Sequence, residues 1–574
     1  MSIRRAVLLP VLLILLSPFP ARAQSKTAGH KTKAPQQQSL AARIDALLTD
    51  SEVARGFWGV DVVSLASGKT LYARNADKLF TPASSTKLFI TATALATIGP
   101  DYRFRTTVET TGTVDRYGRL LGDLVLTGRG DPNLSGRTLP YRLRTERGLP
   151  PMHVLEQLAD QLVSRRIKVI DGDLIADDSY FAFERYGEGW SHEDLDRGWG
   201  APVSALALND NVLFVSVLPA DRAGEKAFAS LEPYTDYYQL DNRVVTTPAG
   251  SGPRSVTIER PAGSREILLW GSIPLDDTGY NEALALEDPA DFVGQIFRRL
   301  LERRGLAVYG RVRARHSDPA APGTIRITAT ASAGGGAHEA LPAAAGLNQP
   351  AVLAEYQSQP LFEDLRVINK VSQNLHAEIL LRLLGRERSG AVFSEAAVVT
   401  GAPGPASSGA GAGIRSSGAT AAVGAGVGTI GSGLEVVRGF LTQCGVPPGE
   451  AVLYDGSGLS RKNLVTPRAL RTLLECASRQ PWFERFRDTL PVAGVDGSLA
   501  ARLKETFAEG NVTAKTGSLD HVNSLSGYAT TRGGERVAFV IMANNHNLTR
   551  AQAEQTIDRI VEAIVETRRI PSKK

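Results

Sequence analysis

Residues 82–97 read PASSTKLFITATALAT, and this stretch predicts a helix from about Ser84 to Ala96 that is ended by Gly99-Pro100. Lys87 lies three residues after Ser84, so its amine is expected on the same helix face, one turn away. A serine hydroxyl is a poor nucleophile until a base takes its proton, and a lysine can act as that base only when neutral. The pair is therefore a candidate nucleophile and base, although in isolation it is more often a helix cap and a solvated lysine.

Two further motifs, each present once, make the catalytic interpretation much stronger. Ser372-Gln373-Asn374 supplies a hydroxyl that can relay a proton and an amide that can hold a substrate amide. Lys515-Thr516-Gly517 supplies a cation and a hydroxyl for a carboxylate, and its glycine lets a strand backbone approach a ligand. Burial together with the Lys515 cation is expected to lower the pKa of Lys87. Such a set of residues predicts an acyl-enzyme mechanism.

Strand patterns at the two ends of the chain predict the fold around these motifs. Phe57–Leu65 and Thr70–Arg74 form one predicted hairpin. Ser526–Thr530 and Arg536–Met542 form another, followed by a terminal helix with an apolar face around Ile560. We therefore predict an α+β fold in which both ends of the chain share one antiparallel sheet with helices packed on it.

The rest of the chain divides by composition. Residues 40–103 and 350–574 are predicted to form one split domain, and residues 104–349 an inserted β-rich region of two lobes. Residues 401–433 are mostly Gly, Ala and Ser with almost no large side chains, and they predict a flexible surface loop because they offer little apolar area to bury. Residues 24–39 predict a disordered spacer.

The first 23 residues have the pattern of a secretory signal peptide. Arg4 and Arg5 precede an apolar run from Ala6 to Leu16, and Ala21-Arg22-Ala23 supplies a small-x-small cleavage site. At about 1.5 Å per residue this run is too short for a bilayer about 30 Å thick. We therefore expect an exported protein, periplasmic or extracytoplasmic, that is soluble after signal cleavage and makes at most peripheral membrane contact.

The net charge and the cysteine content bear on the partners and the compartment of the protein. The formal net charge is +5 and includes the signal-peptide arginines, so the mature chain is only weakly basic and no nucleic-acid partner is expected. Cys444 and Cys476 are the only cysteines. In an oxidising compartment they could form a disulfide, and two separate buried thiols are an equally good interpretation.

Longer segments around the three motifs resemble one known family. These segments are Pro82-Ala83-Ser84, Gly130-Asp131-Pro132, Asp177–Phe181, Asn369-Lys370, the run Asp455-Gly456-Ser457-Gly458-Leu459-Ser460-Arg461, and Asp496–Leu499. Over roughly residues 40–570 the chain is similar to the penicillin-binding protein 4-like D-alanyl-D-alanine carboxypeptidases, the class C low-molecular-mass penicillin-binding proteins. The resemblance implies a transpeptidase or serine β-lactamase-like domain interrupted by two inserted domains, which fits the long gap between Ser84 and Ser372.

The resemblance also implies an activity and roles for individual residues. It implies a serine D-Ala-D-Ala carboxypeptidase, also a candidate DD-endopeptidase, that cleaves peptidoglycan stem peptides and cross-links, is acylated by β-lactams, and needs no metal or other cofactor. The implied roles are acylated nucleophile for Ser84, general base for Lys87, second motif for Ser372 and Asn374, third motif for Lys515, Thr516 and Gly517, oxyanion hole for the amides of Ser84 and Ser518, and contact with the peptide stem for Arg461 and Asp177. Gln373 departs from the family pattern, which usually has Asp there.

Two other functions share parts of this pattern. A class A-like β-lactamase has the same three motifs but needs a glutamate for deacylation. In that family the glutamate lies a few dozen residues after the second motif, and residues 396–434 of this chain contain no Asp or Glu. A catalytically inactive peptidoglycan-binding protein usually lacks the nucleophile or its lysine, and both are present here. The carboxypeptidase is therefore the leading prediction.

Overall fold

A computed structural model describes residues 39–141, 148–261, 263–318, 324–329, 339–342, 350–388 and 428–568. The predicted signal peptide, the predicted spacer except Ser39, and residues 401–427 of the predicted loop lie outside the described residues.

The helices of this part of the chain are α1 (Leu40–Leu48), α2 (Lys87–Thr97), α3 (His153–Ser164), α4 (Pro289–Arg303), α5 (Leu361–Lys370), α6 (Asn374–Arg388), α7 (Ile430–Gln443), α8 (Pro467–Ser478), α9 (Phe483–Thr489) and α10 (Arg550–Val565). None of these described helices combines the length and the apolar character needed to cross a bilayer.

The strands are β1 (Phe57–Ser64), β2 (Thr70–Arg74), β3 (Arg105–Thr110), β4 (Thr113–Val114), β5 (Arg119–Leu121), β6 (Leu124–Thr127), β7 (Val169–Ile170), β8 (Leu174–Ala182), β9 (Val212–Leu218), β10 (Phe228–Glu232), β11 (Gln239–Thr247), β12 (Ser255–Glu259), β13 (Glu266–Pro274), β14 (Tyr280–Ala285), β15 (Ala307–Val308), β16 (Val312–Ser317), β17 (Thr324–Ala329), β18 (Glu339–Pro342), β19 (Ala351–Gln357), β20 (Ala451–Val452), β21 (Leu464–Val465), β22 (Thr513–Leu519), β23 (Val522–Thr530) and β24 (Arg536–Asn544).

A five-stranded antiparallel sheet, in the order β2-β1-β24-β23-β22, joins the two ends of the chain. Alternate side chains of a strand point to opposite faces of the sheet. The central strands are buried on both faces because helices pack against each of them. Val60 and Phe539 belong to the core formed with α1 and α10, whereas Val63 and Val540 belong to the core formed with α2 and α8. The predicted hairpins, the terminal helix and the α+β fold class are confirmed.

The segment between the two parts of this sheet forms further sheets. The largest has seven strands in the order β18-β17-β16-β8-β6-β3-β19, with β6 and β16 both parallel to β8. Two helices that the sequence analysis did not predict, α3 and α4, contribute to the core of this region. β19 pairs with β3, so this sheet extends to Gln357, past the predicted end of the insertion at residue 349. β3 and β19, which lie far apart in the sequence, are therefore neighbours in this sheet.

Residues 428–433 are not part of a flexible loop. Thr429 caps α7, because its hydroxyl accepts a hydrogen bond from the backbone N–H of Ser432 at 3.0 Å. A Cβ on Gly433 would lie 2.1 Å from the carbonyl oxygen of Leu381 in α6. The small residues that predicted a loop here instead allow α7 to pack closely on α6, so the prediction was wrong for this end of the segment.

Cys444 and Cys476 form a disulfide. Cys444 follows the last residue of α7 and Cys476 lies in α8, so the bond links these two helices. Both cysteines are buried in the core that also contains α2 and α6. Of the two interpretations left open by the sequence, the structure shows the bridged one.

Candidate active site

Ser84 lies in a short 3-10 turn, Ala83–Thr86, that leads directly into α2. The turn is tight, since Ala83 has a left-handed backbone with φ of +49°. Lys87 is the first residue of α2, and its Nζ donates a hydrogen bond to the Oγ of Ser84 at 2.9 Å. The structure therefore brings the predicted nucleophile and the predicted base into direct contact.

The amine of Lys87 is fully buried and has two further acceptors. It donates to Oδ1 of Asn374 at 2.7 Å and to the carbonyl oxygen of Ser457 at 2.6 Å. Burial lowers the pKa of Lys87 to about 7, and the negative charges of Asp455 and Glu378 oppose this shift. A large fraction of the amine is therefore neutral near pH 7 and able to take the proton of the serine.

Lys515 is the second lysine of the site, and its pKa is lowered as well. Burial is the largest cause of the low pKa of Lys87. Burial is also the largest cause of the lowered pKa of Lys515, and the charge of Lys87 adds to it. Because repulsion between two cations is mutual, each lysine disfavours the protonated form of the other. Two buried amines this close to each other do not both stay protonated unless an anion lies beside them.

The second motif lies at the junction of α5 and α6. Ser372 has a left-handed backbone, with φ of +65°, and its Oγ accepts a hydrogen bond from Nζ of Lys515 at 2.8 Å. Asn374 is the first residue of α6 and bonds both to Lys87 and, through Nδ2, to the carbonyl oxygen of Trp199 at 2.9 Å. The strained turn thus lets two residues of one motif reach two different lysines.

The third motif lies on β22, the edge strand of the five-stranded sheet. The hydroxyl of Thr516 is 2.7 Å from that of Ser498. A Cβ on Gly517 would lie 2.3 Å from Oγ of Ser524 and 3.0 Å from the backbone nitrogen of Ser84. Only glycine allows this close approach of β22 to the backbone of Ser84. An edge strand also offers unpaired backbone groups to which an extended peptide can bind.

A loop, Asp455–Arg461, closes the other side of the nucleophile and is buried as far as Ser460. Gly458 has φ of +84°, and a Cβ there would lie 1.9 Å from the carbonyl oxygen of Ala83. The carboxylate of Asp455 holds the loop by accepting hydrogen bonds from the backbone of Gly458 at 2.9 Å and of Ser460 at 2.7 Å. Sequence reasoning found this run as a family signature but missed its contribution, a backbone carbonyl bonded to the base.

Arg461 and Asp177 occupy different surroundings. Nη1 of Arg461 donates to the carbonyl oxygen of Asp520 at 3.3 Å, just beyond the end of β22. Asp177 lies in β8, where it accepts hydrogen bonds from Arg315 at 3.2 Å and from the backbone of Ser179 at 2.9 Å. The structure therefore places Arg461 at the end of the third-motif strand, whereas these partners of Asp177 lie in or beside the seven-stranded sheet.

Together these groups form the site of a serine acyl-transfer enzyme: a nucleophile with a buried lysine base, a second serine–lysine pair, and an edge strand for an extended substrate. In the described ranges, no group of three or more His, Cys, Asp or Glu side chains is arranged to hold a metal ion.

Comparison with known proteins identifies the family. The D-Ala-D-Ala carboxypeptidase 3 (S13) family matches residues 40–331, 327–402 and 417–566. The chain belongs to this family. It is also 34% identical, over 94% of its own length and 86% of the relative's, to a D-alanyl-D-alanine carboxypeptidase of Actinomadura sp.. The predicted family and the predicted class of enzyme, a serine carboxypeptidase, are confirmed.

More distant similarities agree with the fold. The chain is 25% identical to the D-alanyl-D-alanine carboxypeptidase DacB of Haemophilus influenzae over 82% of each chain. The crystal structure of penicillin binding protein 4 from Haemophilus influenzae superposes with a TM-score of 0.68 at 22% identity, covering 91% of this chain and 98% of the other. A structure of that protein in complex with a β-lactam gives a TM-score of 0.63 at 21% identity, covering 92% of this chain and 100% of the other.

Proposed function

We propose that this enzyme removes the terminal D-alanine from peptidoglycan stem peptides through an acyl-enzyme on Ser84, and that β-lactams acylate the same oxygen. The observation that carries the proposal is the buried amine of Lys87, 2.9 Å from Oγ of Ser84, with its pKa lowered to about 7. The name of the Actinomadura relative, a D-alanyl-D-alanine carboxypeptidase, supports the substrate.

The acylation step follows from the positions of the side chains. Neutral Lys87 takes the proton of Ser84, and the Oγ attacks the carbonyl carbon of the penultimate D-alanine. The backbone amides of Ser84 and Ser518 are the proposed oxyanion hole, where each donor contributes about 3 to 4 kcal/mol in comparable enzymes. The approach of Gly517 to the backbone of Ser84 supports this assignment.

Departure of the leaving group uses the second pair of residues. Ser372 is the proposed relay that delivers a proton to the leaving amine. Lys515, Thr516 and Ser498 are the proposed ligands of the terminal carboxylate of the substrate, whose negative charge would keep the Lys515 ammonium protonated. Water then attacks the ester in the reverse sequence, with Lys87 as the base. Asn374 is the proposed ligand of the substrate's amide bond.

The same residues would act on cross-links. In a cross-linked peptide the group that leaves the penultimate carbonyl is a side-chain amine rather than free D-alanine, and the acyl-enzyme is the same. We therefore include DD-endopeptidase activity in the proposal. Arg461, beside the end of β22, is the proposed contact with the more distant part of the peptide stem.

The proposed location is outside the cytoplasmic membrane. The predicted signal peptide supports export, and the disulfide between Cys444 and Cys476 is typical of an oxidising compartment. Peptidoglycan stem peptides and cross-links would be available there, and β-lactams would reach the enzyme as covalent inhibitors.

Mass spectrometry of products tests the proposal. The purified protein is incubated with pentapeptide stems and, separately, with cross-linked dimers. Loss of one D-alanine from the stem, or conversion of the dimer to monomers, is expected. Ser84→Ala should abolish both reactions and penicillin labelling. Ser85→Ala is the matched control, because that neighbouring hydroxyl is buried and bonded to Ser524 at 2.8 Å. Unchanged substrates with wild-type enzyme, or labelling of Ser84→Ala, would contradict the proposal.

A further inference from the structure

One buried carboxylate next to the site has no role in the mechanism above. Glu378 lies one turn after Asn374 on α6, and Arg382 lies one turn later, so the three side chains form a stripe on one face of the helix. Glu378 and Arg382 are both almost completely inaccessible to solvent. A buried charge pair is costly unless its hydrogen bonds are satisfied, so its partners indicate what it does.

The hydrogen bonds of Glu378 lead to the loop behind the nucleophile. Its Oε1 accepts from the backbone N–H of Gly456 at 2.9 Å and of Ser457 at 2.8 Å. Its Oε2 accepts from Arg382 at 3.1 Å, and Arg382 in turn donates to the carbonyl oxygen of Glu184 at 2.6 Å. Both carboxylate oxygens therefore act as acceptors.

The backbone held by Glu378 also contacts the general base. The carbonyl oxygen of Ser457 accepts from Nζ of Lys87 at 2.6 Å. A Cβ on Gly456 would lie 2.8 Å from the carbonyl oxygen of Ala377, so this turn lies directly on α6. One helix face thus supplies Lys87 with a direct acceptor, Asn374, and with an indirect one through Glu378.

We propose that Glu378 is a positioning residue for the general base: it fixes the Gly456-Ser457 backbone so that the Ser457 carbonyl meets the Lys87 amine, and it contributes negative charge to that amine's surroundings. This inference rests on the proposed function, because it assumes that Lys87 is the base. The negative charge has a second consequence. Asp455 and Glu378 raise the pKa of Lys87 against the effect of burial. Burial and the charge of Asp455 raise the pKa of Glu378, whereas Arg382 and the hydrogen bonds from Ser457 favour its charged form. Lys515, whose own pKa is lowered, is the other amine nearby.

The pH dependence of acylation tests whether the negative charge of Glu378 affects the pKa of Lys87. Glu378→Gln keeps an acceptor for the two backbone N–H groups but removes the negative charge, and its amide nitrogen takes the place of the oxygen that accepts from Arg382. The acylation rate with a fluorescent penicillin is measured from pH 5 to 9. We expect the midpoint of the rise with pH to move by about one pH unit to lower values, because Lys87 loses a group that favours its protonated form. The limiting rate at high pH should stay within about threefold of wild type.

A second variant tests whether the hydrogen bonds of Glu378 hold the Gly456-Ser457 backbone in place. Glu378→Ala leaves the N–H groups of Gly456 and Ser457 without their acceptor, so the Lys87 amine loses a fixed partner. We expect at least a tenfold lower acylation rate across the pH range, about 1.4 kcal/mol in the barrier. A rate within threefold of wild type would overturn the positioning role. If this variant shows no cooperative melting, the pH profile of Glu378→Gln decides alone.

Asp61→Asn is the matched control for loss of a buried charge. Asp61 is buried in β1 and pairs with Arg471 at 3.0 Å, outside the site. The Asp61→Asn variant should have a lower melting temperature but an unchanged pH midpoint of the acylation rate. An unmoved midpoint in Glu378→Gln, or an equal shift in Asp61→Asn, would overturn the inference. Absence of labelling in the wild-type enzyme would instead contradict the proposed function, so the two failures are distinguishable.

Discussion

Gly458 is the position where one added methyl group should separate catalysis from stability. Its φ of +84° is a conformation that costs an L-residue about 1 to 2 kcal/mol. A Cβ there would also lie 1.9 Å from the carbonyl oxygen of Ala83, whereas real contacts of this kind are almost never closer than 3.0 Å. In Gly458→Ala the loop and the turn that carries Ser84 must therefore separate by about 1 Å. A displacement of that size at reacting groups can cost about 100-fold in rate.

Gly449 provides the matched control. Its φ is +83°, but a Cβ there would meet nothing within 4 Å. Gly449→Ala therefore carries the same backbone strain without the steric clash. Stopped-flow acylation with a fluorescent penicillin should show a loss of about 100-fold for Gly458→Ala and less than threefold for Gly449→Ala. Thermal melting should detect a loss of stability in both. If Gly458→Ala acylates within threefold of wild type, the loop does not hold the nucleophile in place.

The other predictions concern the nucleophile, the base, the disulfide and the glycine-rich segment. Ser84→Ala should lose all covalent labelling by β-lactams at an unchanged melting temperature, and labelling of another serine would refute the site. The acylation rate should rise as pH increases through about 7, because Lys87, whose pKa is lowered to about 7, can accept a proton only after losing its own; a rate independent of pH from 5 to 9 would contradict this. Replacing Cys444 and Cys476 with serine should lower the free energy of unfolding by about 4 kcal/mol, from the loop closed across a separation of 32 residues, as measured by denaturant titration; a change below about 1 kcal/mol would argue against this account. Deleting residues 402–427 should leave the melting temperature and the acylation rate unchanged within error, whereas a tenfold loss of rate at constant melting would assign that segment a role as a lid.

Local patterns predicted the elements that build the catalytic sheet. The hairpin at Phe57–Leu65 and the terminal helix are visible because apolar residues recur with the period of a strand or a helix. The helix α4 was missed although its signals are present. Asp288 caps it with Pro289 in its first turn, and apolar residues follow at helical spacing. Short strand-like segments lie on both sides of α4, and the sequence analysis therefore predicted the whole region to be β-rich.

The parts of the site that could not be predicted come from the backbone and from burial. Ser457 contributes its carbonyl oxygen to Lys87, and a carbonyl has no signature in the sequence. The low pKa of Lys87 depends on how completely it is buried, which only the packed structure reveals. A run of small residues is compatible with a loop and with a close contact between helices, and composition does not distinguish the two. Around Gly433 the small residues allow α7 to pack closely on α6.

The position of β1 between β2 and β24 determines when the five-stranded sheet can be completed. β24 is among the last segments to be synthesised, and β1 among the first. Until β24 arrives, one edge of β1 is unpaired, and the chain carries its nucleophile without the strands that complete the site. A fragment that ends before Arg536 therefore contains every residue of the three motifs and still lacks the centre of the sheet. Ser84 is therefore made early, whereas the sheet that carries the third motif is complete only after β24 has been made.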